Sequence, residues 1–226
     1  MKGFFVTFEG PEGSGKSTQA GLLVERLLGM GIDVVATREP GGTAVGNMIR
    51  DIVQHDAAGE PVVPESETLL FGASRAQLVK MVILPALERG SWVVSDRFAD
   101  STVAYQGYGR GFDVEQVHAI NRFATGGLVP DMTLLLDFDP EMGFNRLRER
   151  NQNTLSQNDR IENEQMAFHK AVRDGYLKLA REQRHRIHVL DASGTIEDVH
   201  AVVWTYINDV INRRAPAVGN TAGADK

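Results

Sequence analysis

Short, almost unbroken apolar runs alternate along this chain with longer stretches in which apolar residues recur every three or four positions. The short runs are Phe4–Phe8, Ile32–Ala36, Trp92–Ser95, Met132–Leu136 and Ile187–Leu190. Their length and their lack of polar alternation predict strands buried on both faces. Between them, Leu22, Leu23, Leu27 and Leu28 fall at helical spacing. So do residues 43–53, a long stretch Glu65–Glu88, Val114–Phe123, 141–150 and 161–183. A last helix is expected to place Ile196, Val199, Val203, Ile207 and Val210 on one face. Alternating strands and helices predict an α/β fold, a five-stranded parallel sheet covered by helices on both sides.

Composition narrows the class. The chain has 226 residues, 42% hydrophobic and 24% charged, which suits one soluble domain with a sizeable core. Residues 1–213 read as a single domain, and the small, polar segment 214–226 as a disordered tail. No apolar run approaches the 18 residues of a spanning segment, and MKGFFVTFEG is too short for a signal peptide. An intracellular, cytoplasmic location is the expectation. There is no cysteine, which removes disulfides and thiolate chemistry. A net charge of −6 argues against a nucleic-acid partner. Among 24 basic residues 18 are Arg, the side chain that grips phosphate with two parallel hydrogen bonds.

The strongest motif is Gly10-Pro11-Glu12-Gly13-Ser14-Gly15-Lys16-Ser17. It matches G-x-x-x-x-G-K-[ST] and stands between the first strand and the first helix, as a phosphate-binding loop must. Its glycines let the backbone approach a phosphate, and the helix behind it aims free N–H groups at the anion. Lys16 supplies a cation to the β- and γ-phosphates, and the Ser17 hydroxyl a ligand to Mg²⁺. This predicts nucleoside triphosphate binding at Gly10–Ser17 but not the reaction. Both a nucleotide switch and a kinase fit. None of the six lysines follows an Asn, so the guanine-reading Asn-Lys-x-Asp segment is absent. A D-x-x-G string at Asp191–Gly194 follows the wrong strand to sense a γ-phosphate.

A kinase needs an acceptor site, and three clusters lie where parallel sheets bind ligands, at or near strand ends. One is Arg38-Glu39-Pro40-Gly41-Gly42-Thr43. A second is Asp96-Arg97-Phe98, continuing to Ser101, Thr102, Tyr105 and Gln106. The third is Arg146, Arg148, Arg150 and Arg160 around the polar stretch Asn151–Asn158. Taken singly, each has an ordinary reading as a turn, a surface ion pair or a solvated helix face. Their shared edge of one sheet favours a site.

Taken together, FEGPEGSGKST (8–18), TREPGGT (37–43), SDRFADSTVAYQG (95–107), the pair Phe71/Arg75 and DRIE (159–162) resemble thymidylate kinase. The resemblance runs to about residue 213. It implies a P-loop fold, transfer of the γ-phosphoryl group of ATP to dTMP, Mg²⁺, a cytoplasmic homodimer, and neither membrane nor nucleic acid as partner. By resemblance, Arg97 holds the acceptor phosphate, assisted by Arg38 and Arg50. Phe71 stacks on thymine, Arg75 donates to its O4, and Thr102 faces N3. Ser101 and Gln106 belong to the same substrate set, Tyr105 crowds the sugar 2′ position, and Glu12 reaches toward the 3′-hydroxyl. Gly13 stands where some members carry a catalytic arginine. The resemblance is therefore to the bacterial type, whose arginines come from a lid, here about 146–161, with Arg148, Arg150 and Arg160 as candidates. Another nucleoside monophosphate kinase is the alternative.

Spacing supports part of this independently. Phe71 and Arg75 are four apart and share a helix face, roughly opposite Leu69 and Ala73. A phosphomonoester is largely dianionic at neutral pH, so no histidine is needed as a base. Two polyanions must be brought together, and Lys16, Arg97, the lid arginines and Mg²⁺ are the expected remedy. Asp96 ends an apolar strand as a metal ligand should, with Asp137 the alternative. The adenine contacts are expected around Asp191–Ser193.

Overall fold

The computed structural model describes residues 3–55, 59–154 and 160–214, with the side chains of 55 and 150–154 excepted. The tail and the far part of the expected lid therefore lie outside the described residues. The five strands are β1 (Phe4–Glu9), β2 (Val34–Arg38), β3 (Trp92–Asp96), β4 (Met132–Asp137) and β5 (Ile187–Asp191). They form one parallel sheet in the order β2-β3-β1-β4-β5. Each strand ends on a charged residue: Glu9, Arg38, Asp96, Asp137 and Asp191. The register pairs Arg38 with Asp96, Phe8 with Asp96 and Asp137 with Asp191, so these charges collect along one edge.

Alternate strand residues face opposite layers. Val6, Phe8, Val94, Leu134 and Leu136 pack on α1 (Lys16–Gly29) and α9 (Ile196–Arg214) through Leu23, Leu27, Val199, Val203 and Ile207. The other face packs in two patches. Phe5 and Val93 meet Leu78 of α3 (Pro64–Leu78), together with Ile83 and Phe98. Leu135 meets Val172, Tyr176 and Leu179 of α8 (Met166–Glu182). The remaining helices are α2 (Ala44–His55), α4 (Leu84–Glu88), α5 (Ala99–Thr102), α6 (Val114–Thr125) and α7 (Pro140–Thr154).

Two helical details depart from expectation. The stretch from Pro64 to Glu88 is one continuous helix with a π turn at Val79–Ile83. Pro85 lacks the N–H a regular helix needs and its ring crowds the preceding turn, and the π turn absorbs that mismatch. At 25 residues this helix is long and apolar enough to cross a membrane by composition. Here it packs on the sheet and buries the charged Glu67 and Arg75 inside the protein. The second departure is α5 and the π turn Val103–Gly109, which apolar periodicity did not disclose. Their polar side chains turn inward, Ser101, Thr102, Tyr105 and Gln106 toward the site and Asp100 toward Arg186, so no amphipathic stripe marks them. Ile161–Gln165 forms turns, and α8 begins only at Met166.

Candidate active site

The loop between β1 and α1 wraps a cleft lined by Gly13 through Gln19. Gly15 adopts φ +89° and Gly13 φ +72°, backbone states open chiefly to glycine. Gly13 is also pressed against α7: a Cβ there would lie 2.4 Å from the Gly143 carbonyl oxygen. The residue type that distinguishes this loop is thus required by its packing. Lys16 Nζ donates to the Pro11 carbonyl (2.7 Å) and Ser14 Oγ (3.4 Å), folded back over the loop. Burial and the nearby Arg97 cation pull its pKa down to about 8, against the attraction of Glu12.

Across the cleft floor the Ser17 hydroxyl donates to Asp96 Oδ2 at 2.5 Å. A hydroxyl and one carboxylate side by side below the phosphate loop fit Mg²⁺, which usually takes few protein ligands and completes its shell with phosphates and water. Among the described residues no group of three carboxylates or histidines offers an alternative. Asp137, the other candidate, is held by Arg173 through two bonds of 2.7 and 2.8 Å, and it is Asp96 that lines the phosphate-loop cleft. The far end of the cleft is lined by Ala192, Gly194 and Thr195, with Arg146 bonded to the Ala192 carbonyl (3.3 Å). Of the segment Asp191–Ser193, Ala192 lines this end of the cleft.

A second cleft opens beside the first. It is lined by Phe71, Arg75, Ser101, Thr102, Tyr105 and Gln106, which places the residues expected for the acceptor nucleoside together. Glu12, Glu39, Gln54 and Arg97 line both clefts. Arg38 and Arg50 line the phosphate side near this junction, and Arg50 donates to the Pro40 carbonyl at 3.1 Å.

Arg97 is the hinge between the clefts. It has φ +71°, unusual for a residue with a side chain. Its guanidinium reaches Glu12 (2.6 Å), Tyr105 Oη (3.1 Å), Ser101 Oγ (3.1 Å), Tyr176 Oη (3.3 Å) and the Gly10 carbonyl (3.2 Å). Burial opposes ionisation of Glu12, but Arg97 and Lys16 outweigh it and hold its carboxyl at about 2. Tyr105 adds a hydrogen bond to Glu12 of 2.8 Å.

Glu9 was not among the expected site residues. Buried at the end of β1, it accepts from the Phe98 amide (2.7 Å), Ser101 Oγ (2.6 Å) and Tyr176 Oη (2.9 Å). Burial, with the nearby Asp100 carboxylate, raises its pKa to about 7. Its position as the charged end of a buried strand was the available signal. Tyr176 gave none, because it sits within the apolar stripe of α8.

Arg75 is 2% exposed, and its contacts refine its expected role. Its guanidinium donates to Glu39, Thr102, Asn121 and the Phe98 carbonyl, five bonds from five N–H groups. Donating to a base carbonyl requires it to release one of these. Of the arginines assigned to the lid, Arg148 is exposed on α7 and the Arg150 side chain lies outside the described residues. Arg160 is engaged elsewhere, on Glu67 and the carbonyls of Val53 and Gln54. On α7 it is Arg146 that faces the nucleotide cleft.

The thymidylate kinase family model matches residues 8–203, which includes both clefts. The chain belongs to the thymidylate kinase family. Curated relatives agree in length as well as sequence. A thymidylate kinase from Exiguobacterium sp. is 48% identical over 91% of this chain and 94% of its own. One from Deinococcus radiodurans is 45% identical over 92% and 98%. The crystal structure of thymidylate kinase from Ehrlichia chaffeensis matches with a TM-score of 0.74 and 35% identity, over 92% of this chain and 99% of that one.

Proposed function

We propose that this chain transfers the γ-phosphoryl group of ATP to the 5′-phosphate of dTMP, giving dTDP and ADP. The supporting observation is the junction: Arg97 and Glu12 line both the phosphate-loop cleft and the Phe71/Arg75 cleft. A donor and an acceptor phosphate can therefore meet across one guanidinium. The acceptor oxygen is already anionic at neutral pH, so the protein's task is to hold two polyanions in line. Loop amides and Lys16 hold the donor. Arg97, with Arg38 and Arg50 nearby, holds the acceptor. Phe71 offers its ring to the base, with Arg75 and Thr102 at the polar edge. Ser101 and Gln106 complete the wall, Tyr105 limits the sugar, and Glu12 stands near its 3′ side.

Ser17 and Asp96 would hold Mg²⁺, which shields the negative charge of the phosphates when bound. Charge on the transferring group is further offset from α7, because the loop carries Gly13: Arg146 lines the nucleotide cleft, and Arg148 is exposed on the same helix. A homodimer belongs to the same reading. Leu69 and Met81 on the Pro64–Glu88 helix are 59% and 63% exposed, and Phe123 on α6 is 91% exposed, as side chains covered by a second copy are. A cytoplasmic location completes it.

The test is ADP release with ATP and a panel of nucleoside monophosphates. Turnover is expected with dTMP and dUMP and not with dCMP, whose N4 amino group presents a donor where O4 would accept. Acceptor-independent ADP release alone would mean a switch or hydrolase. A preference for another monophosphate would mean a different kinase.

A further inference from the structure

Glu67 is a fully buried carboxylate outside the site described so far. It lies in the first turns of α3 and collects partners from two directions. Gln106 Nε2 donates to it at 3.0 Å, and Arg110 reaches both its oxygens at 3.4 Å. Arg160, from the segment that enters α8, forms an ion pair with its second oxygen. The same Arg160 donates its Nε to the Val53 carbonyl and its backbone amide to the Gln54 carbonyl, each at 3.2 Å. Arg110 closes the ring by binding Glu164 at 2.5 Å. One carboxylate therefore ties together the end of α2, α3, the π turn carrying Tyr105 and Gln106, and residues 160–164.

The residues bonded to or next to these ties form one wall of the acceptor cleft. Gln54, Gln106 and Ile161 all line it. A buried carboxylate between two guanidiniums is costly to break, because removing one partner strands the others without solvent. It is also rigid, which a positioning element needs. We infer that Glu67 and Arg160 are positioning residues for the nucleoside acceptor, holding Gln54, Gln106 and Ile161 at the spacing the nucleoside requires. Arg160 then acts on acceptor fit and not on the transferring phosphate. This inference rests on the reading of the Phe71 cleft as the acceptor site.

The experiment is steady-state kinetics of Glu67→Gln, Arg160→Ala and Arg160→Lys, with the double variant E67Q/R160A. Misplacement by about 1 Å can cost on the order of a hundredfold. For a wall that shifts by less, KM for dTMP is expected to rise roughly tenfold. KM for ATP and kcat should stay within about threefold, because the wall touches neither the donor loop nor the transferring phosphate. Because the two residues act as a unit, the double variant should be no worse than the poorer single one. Arg160→Lys keeps the charge and should recover part of the loss, and it decides the matter if Glu67→Gln does not fold. A fall in kcat with KM for dTMP unchanged would return Arg160 to the phosphates and overturn the inference. Unchanged constants alongside a lowered Tm would reduce the pair to a brace and overturn it equally. Phe71→Ala separates the two levels. If it too leaves KM for dTMP unchanged, the cleft assignment itself is at fault and the inference falls with it, whereas a raised KM in Phe71→Ala beside unchanged constants in the Glu67 and Arg160 variants overturns the inference alone.

Discussion

Arg97 can be removed in two ways that the backbone distinguishes. It sits at φ +71°, held there by its amide bonding to the Phe8 carbonyl and by Ser95 Oγ donating to its own carbonyl. Ala at this position keeps the backbone penalty, whereas Gly relieves it. Arg97→Gly should therefore be the more stable of the two variants by about 1 kcal/mol. In a domain of this size that is a gap of about 2–4 °C in Tm.

Both variants lose the same guanidinium, so their kinetics should agree. A charge-assisted hydrogen bond to phosphate contributes about 1.5–3 kcal/mol. Dividing by the 1.36 kcal/mol of a tenfold change gives a loss of about ten- to a hundredfold in dTMP affinity. Binding of ATP should change less, because Lys16 and the loop amides are untouched. Thermal melts and two-substrate kinetics on both variants are the assay. If Gly and Ala variants melt together, the backbone argument fails. If KM for ATP rises while that for dTMP holds, the two clefts have been assigned the wrong way round.

Lys16→Ala should nearly abolish phosphoryl transfer while leaving the melting curve close to wild type, and turnover near normal would refute the donor-site assignment. Gly143→Ala would set a Cβ 2.3 Å from the Glu12 carbonyl oxygen, a backbone atom that cannot swing aside. The loop must shift, so KM for ATP should rise and stability fall by about 1–3 kcal/mol; an unchanged KM for ATP would show that the contact is slack. Glu9, with its pKa raised from 4.5 to about 7, keeps its proton in the folded protein when the unfolded chain has lost it. Its contribution is full below pH 4.5 and is lost as pH rises through about 7, about 3 kcal/mol in all. Denaturant unfolding of Glu9→Gln against wild type should show that slope flattened, and parallel profiles would contradict it.

The parts of this molecule that were legible in the sequence are those whose signal is local. A buried strand must be largely apolar, as β1, β3 and β4 at the centre of the sheet are; the edge strands β2 and β5 are less buried but still carry short apolar runs, and the phosphate loop is contiguous because it must wrap one phosphate group. The π turn at Val103–Gly109 hid because Tyr105 and Gln106 spend their polarity on Glu12 and Glu67, far away in sequence. The contact between Arg160 and Glu67 was hidden for the same reason. Beside a run of other arginines Arg160 reads as one more phosphate ligand, and only the tertiary fold brings the buried Glu67 to meet it. Glu67 carries no sequence mark that separates it from a surface carboxylate, Glu9 only its place at the end of a buried strand, and Glu39 only its place in the Arg38–Thr43 cluster. Yet each is buried, and Arg97, Arg75 and Arg160 respectively lie beside them. In a chain with 18 arginines the informative question is therefore which carboxylate each one answers. An arginine whose donors are all spent inside the protein, as those of Arg75 are, shapes the pocket; Arg97 pairs with Glu12, but its other donors go to hydroxyls and the Gly10 carbonyl, which it can exchange for a phosphate.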